Sequence, residues 1–166
     1  MNATSIEYYF DWFNVYFVKL GMASSTSVLL STLINSIIFI FFVILLDIIT
    51  RKIIVHSFRI FSSKTKTSFD NFLVESNFPR FVAHIIPIVF ILYVAPKIFK
   101  AYEFISQFLV NAADVYLIVL AVFVFRSVLR TTERYLKTID RFRDKPLDSY
   151  SQVLMIFAWG VATFLI

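Results

Sequence analysis

The stretch that decides the fold is VLLSTLINSIIFIFFVILLDII, Val28 to Ile49. It holds no proline or glycine, and its roughly 22 residues, at about 1.5 Å of rise each, cover the hydrocarbon core of a bilayer as one helix. Composition agrees: 59% of the 166 residues are hydrophobic and only 16% charged, far from the quarter or so of charged residues in a soluble domain. Asn35, inside the run, is expected to bond either a neighbouring helix or its own backbone. Asp47 stands one helical turn before Arg51, the spacing of an i, i+4 ion pair at the membrane edge.

Outward from this run, the chain reads as a series of helices. Ile6, Tyr9, Phe10, Phe13, Phe17 and Leu20 recur at helical spacing, with Glu7, Asp11 and Asn14 on other faces. Polar residues make this N-terminal segment a poor span and suit it to lying in the membrane interface, or to extending the next helix. Ser24 to Ser27 supply candidate caps between the two. No basic residue precedes the apolar part, so no cleaved signal peptide is expected.

After a basic segment and a Ser/Lys/Thr break, Ser68 can cap a short helix with Phe69, Phe72 and Leu73 on one face, against the membrane surface or a neighbouring helix. The second span covers about 81–99, entered through Asn77 as cap and Pro79 in the first turn, with Pro96 and Lys97 at its far end. Pro87 falls inside it and lacks an N–H, so a kink is expected there, with the carbonyl of Ala83 left for a neighbour to satisfy. The third span covers about 104–128, with Gln107, Asn111 and Asp114 in its first turns. It is expected to run on as a charged helix to Pro146, laced by pairs among Arg130, Glu133, Arg134, Lys137, Asp140, Arg141 and Asp144. A fourth apolar run begins near Tyr150 and stops at Ile166, which reads as a truncated span. The fold class is therefore all-α: a multi-span transmembrane helical protein with three full spans, a truncated fourth and an N-terminal interfacial helix over 1–27.

Charge sets the expected topology. Of the 16 Lys and Arg residues, all but Lys19, Lys97 and Lys100 flank the connections at about 50–80 and 129–149. Such asymmetry places those connections in the cytoplasm and the N-terminus outside, in a cell (inner) membrane. It also accounts for the +5 net charge with no need of nucleic acid.

Several function classes find little support. His56 and His84 are the only histidines, with no carboxylate nearby in sequence and no metal-ligand spacing, and cysteine is absent. There is no glycine-rich phosphate loop, so neither catalysis nor a cofactor or metal is expected. Arg126, Arg130 and Arg134 recur every fourth residue with an acid between them, unlike a voltage sensor. A charged helix extension explains them, with Arg126 reaching for the interface. No inverted repeat marks a transporter.

Two stretches carry a resemblance. One is KTKTSFDNFLVESNFPRFVAHIIPIVFILYVAPKIF, with Lys64 to Thr67, Phe69, Asp70, Leu73, Val74, Arg80, Ala83, His84, Pro87, Ala95 and Pro96 at the matching places. The other is DKPLDSYSQVLMIF, with Pro146, Tyr150 and Gln152. Together these resemble the small-conductance mechanosensitive channel family, in its larger members with extra membrane helices before the pore. The resemblance implies a homo-oligomer, heptameric in the family, that opens under membrane tension in osmotic stress. It implies membrane lipids as partners, and ions once the pore is present. The pore helix and the cytoplasmic β-domain are expected beyond Ile166, so this chain corresponds to the tension-sensing peripheral helices. In that setting Pro87, Pro146, Tyr150 and Gln152 become candidate structural or gating residues, and Asp47 with Arg51 an interface ion pair. The alternative is a non-conducting multi-span scaffold or assembly subunit.

Overall fold

The computed structural model describes residues 5–65, 68–143 and 145–166, with side chains from Tyr9 onward. Lys66, Thr67 and Asp144 therefore lie outside the described residues, as do the side chains of Ile6 and Glu7. The chain is 88% helical, with no strand among the described residues. Its helices are α1 (Ser5–Lys19), α2 (Ser24–Lys64), α3 (Ser68–Glu75), α4 (Phe78–Ala83), α5 (Ile85–Ile98), α6 (Glu103–Lys137) and α7 (Leu147–Leu165). Among the described residues, three helices are long and apolar enough to cross a membrane: α2, α4 with α5 as one unit from Phe78 to Ile98, and α6. In the most apolar stretches of α2 and α6 only 17% of the residues are buried, so these helices turn apolar surface outward along their length. Water does not tolerate patches of that size, and lipid does. The protein is membrane-embedded.

The helices stand side by side in a row. α2 packs against α1, α3, α4 and α5, and α1 also touches α5; α6 packs against α5, α4 and α3, then α7; α2 and α6 do not touch among the described residues. The second span thus separates the first from the third. Phe39 of α2, stacked on Phe90 at 5.8 Å between centroids, packs with Val94, Ala95 and Ile98 of α5 at the main buried contact. Ala83 and Ala95 are fully buried, small residues that let backbones approach closely. The inward face of α2 is a stripe at fourfold spacing of Ser27, Ser31, Asn35 and Phe39, continued by Thr50. That is the reverse of a soluble amphipathic helix, with small and polar residues inside and apolar ones facing out.

Four details extend or correct the expectations. First, the helix of the first span continues past Ile49 as one helix of 41 residues to Lys64, at the expected Ser/Lys/Thr break, carrying the basic segment as a stalk. Nothing in Arg51 to Ser63 breaks helix, since proline and glycine are absent there. Second, α2 is capped from Ala23 with no side-chain cap bond, and Ser27 instead donates to Asn14 O on α1 at 2.9 Å. Third, Asn77 does not cap α4 through its side chain. It takes the left-handed conformation, φ 66°, and reverses the chain between α3 and α4. Pro79 does occupy the first turn of α4, fully buried. Fourth, α6 stops at Lys137, well before Pro146, and a short 3-10 turn at Asp140–Phe142 follows. There the Thr138 hydroxyl bonds back to Tyr135 O at 2.6 Å, and Ile139 turns extended. α5 also includes Pro96 and ends two residues later, at Ile98.

α1 folds back antiparallel along α2. Asn35 Nδ2 donates to Phe10 O at 2.8 Å, so Asn35 does reach a neighbouring helix, and Lys100 Nζ donates to Asp11 at 2.6 Å. α3 lies against α6 and α2, with Phe69 edge-on to Tyr135.

Candidate functional site

The second span is broken at one residue. α4 ends at Ala83, His84 forms a turn whose N–H donates to Phe81 O at 3.2 Å, and α5 begins at Ile85. The cause lies three residues on. Pro87 has no N–H for the Ala83 carbonyl and its ring crowds that oxygen, so the helix opens just before it. The helix is thus interrupted at His84, on the N-terminal side of Pro87 where a kink is expected.

The side chains that complete this break come from α2. Thr50 Oγ1 lies 3.2 Å from Ala83 O and 2.7 Å from Leu46 O, one turn back on its own helix. One hydroxyl proton serves both. Leu46 O already has its helical N–H, whereas Ala83 O has lost its own, so Ala83 O has the greater need of it. Asp47 uses both carboxylate oxygens: Oδ2 pairs with Arg51, and Oδ1 lies 2.8 Å from His84 Nδ1. The second is a close electrostatic contact and not an aligned hydrogen bond, because Oδ1 is buried and meets no aligned donor among the described residues. Pro87 itself is buried, as is Thr50. The Asp47–Arg51 pair is as the spacing predicts. Its extension to His84 is not, and a histidine without a carboxylate nearby in sequence has one in space.

A second polar cluster stands beyond the break, at the end of the row where most Lys and Arg residues gather, here called the basic end. Ser127 Oγ donates to Ser76 O at 2.7 Å, Thr131 Oγ1 to Ser76 Oγ at 2.9 Å, and Ser76 Oγ to Leu73 O at 2.8 Å. The Ser127 and Ser76 hydroxyls satisfy carbonyls at the C-terminus of α3, which that helix cannot pair itself, and Thr131 donates to the Ser76 hydroxyl. Thr131 is fully buried and Ser127 nearly so. Sequence reading passed over them. Their signal is i, i+4 spacing of small hydroxyl residues on an otherwise apolar face.

Pro146, Tyr150 and Gln152 are not brought to the break. Pro146 precedes α7, Tyr150 is 65% exposed, and Gln152 lines a cleft between α6 and α7 with Arg126, Arg130, Glu133 and Asp148. There Lys137 bonds Glu133 at 2.9 Å and Asp148 at 3.0 Å, which raises its pKa, Glu133 contributing most. Hydrogen bonding with Glu133, then with Lys137, holds the Asp148 carboxyl below its ordinary value. Arg134 reaches Glu75 of α3 at 3.8 Å. Two of the expected helix-face charges are thus used between helices.

The arrangement holds backbone and aligns helices. Among the described residues no group of three His, Cys, Asp or Glu side chains is placed to bind a metal ion. Comparison with protein-family models, with characterised proteins and with solved structures finds no match to this chain.

Proposed function

We propose that the chain is the membrane part of a mechanosensitive ion channel, its helices forming the peripheral, tension-sensing layer of a homo-oligomer. The observation that carries this reading is the row itself. The first and third spans each pack on the second and not on each other among the described residues, and few residues of their apolar stretches are buried. Such a layer has a large lipid contact for its mass. Tension does work in proportion to the gain in in-plane area, so it favours whichever state spreads the row, as a ligand favours the state it binds better.

The break at His84 gives the layer a place to bend. Ala83, His84, Pro87 and Ala95, all among the positions that resemble the channel family, lie at the break or on the buried contact with α2. The basic end faces the cytoplasm of the inner membrane in this reading, and the N-terminus lies outside.

The test is patch-clamp recording from giant liposomes that hold the complete product of the gene. Currents that rise with suction are expected, and Pro87→Ala is expected to shift the tension at which they appear. A complete product silent up to membrane rupture would overturn the channel in favour of a non-conducting scaffold. An unchanged threshold in Pro87→Ala would remove the break from the gating role.

A further inference from the structure

On the stalk of α2, just past the Asp47–Arg51 pair, a cleft of about 620 Å³ opens toward α4. Arg51, Lys52, His56 and Arg59 line it from α2 and Arg80 from α4, around Ile53 and Val55. Arg51 already has Asp47 as its partner. Lys52, Arg59 and Arg80 have no carboxylate within ion-pair distance among the described residues, and all three are exposed. Glu75 lines an adjoining hollow with Arg59 and Arg80, and its ion pair is with Arg134. Cations on two helices therefore converge with a deficit of anions. Their mutual repulsion is left for something outside the chain to relieve.

We propose that this cleft binds the phosphate of an anionic phospholipid, with Lys52, Arg59 and Arg80 as the ligating cations. Two features favour a lipid over free phosphate. The cleft starts within a turn of the point where the apolar run of α2 ends, at the depth of a headgroup in the adjacent leaflet. Its centre is also apolar: Ile53 is 59% exposed among the cations, a surface suited to glycerol and upper acyl chain and not to a hydrated ion. Juxtamembrane cations are drawn to anionic lipid generally, but a cleft shared by two helices adds a fixed geometry. The site needs the membrane setting alone and stands whether or not the protein conducts.

Native mass spectrometry of the full chain in detergent micelles, titrated with phosphatidylglycerol or phosphatidylcholine, tests this. The parent is expected to bind phosphatidylglycerol ~tenfold more tightly, and the triple variant Lys52→Gln, Arg59→Gln, Arg80→Gln to lose that preference. A control with the same loss of charge at the same end, Arg141→Gln, Arg143→Gln, Lys145→Gln, is expected to keep it. Should the triple variant lose helicity, Lys52→Gln alone decides, with a several-fold loss expected at its exposed position. Equal weakening in both triple variants, no preference in the parent, or no loss in Lys52→Gln would overturn the site. Displacement of the lipid by millimolar inorganic phosphate would overturn the lipid assignment and leave a soluble phosphate as ligand.

Discussion

At the basic end of the row, the hydroxyls of Thr50 and Ser127 reach carbonyls that have no helical N–H of their own. Ala83 lost its donor to Pro87, and Ser76 follows the last turn of α3. At the opposite end, Asn35 reaches Phe10 O inside the continuous helix α1, where the carbonyl has its helical partner already. Both sets of bonds link helices. Only the first set answers an unmet need, and where burial keeps water away that difference sets the energy at stake.

The comparison can be broken in order of expected effect, by unfolding the chain from mixed micelles with a denaturing detergent and following helicity. Ser127→Ala should cost the most, about 1–3 kcal/mol, because the half-buried Ser76 O is left with no donor in its place. Thr50→Val should follow at about 1 kcal/mol, since its proton is shared with Leu46 O. Asn35→Leu should cost about 0.6 kcal/mol, the ordinary worth of an interhelical hydrogen bond in a bilayer. Lys100→Gln, which removes the ion pair with Asp11 between side chains 57% and 40% exposed, should cost no more than about 0.3 kcal/mol. If Asn35→Leu proved as costly as Ser127→Ala, the distinction between needed and added bonds would fail.

Local features of the sequence carried well into the structure. Apolar length placed the three spans, i, i+4 spacing paired Asp47 with Arg51, and the chemistry of proline named Ala83 as the carbonyl in need. What spacing could not supply is which distant residue meets each need. Thr50 is 33 residues from Ala83, and Ser76 is 51 from Ser127, so those bonds exist only once the row has assembled. The contact between His84 and Asp47, distant in sequence, escaped spacing for the same reason. The stripe from Ser27 through Thr50 was legible in principle, because fourfold spacing of small and polar residues in an apolar helix marks the face turned to protein. The end of α6 was harder. Thr138 and Ile139 disfavour helix only weakly, and the Lys137–Asp148 contact that accompanies the stop is itself tertiary.

The central claim is that Thr50 and Pro87 build the break together. A double-mutant cycle tests it most directly, comparing the cost of Thr50→Val in the parent and in Pro87→Ala, where residue 87 regains an N–H for the Ala83 carbonyl. The account predicts a cost of about 1 kcal/mol in the parent that falls close to zero in Pro87→Ala. Equal costs in the two backgrounds would contradict it.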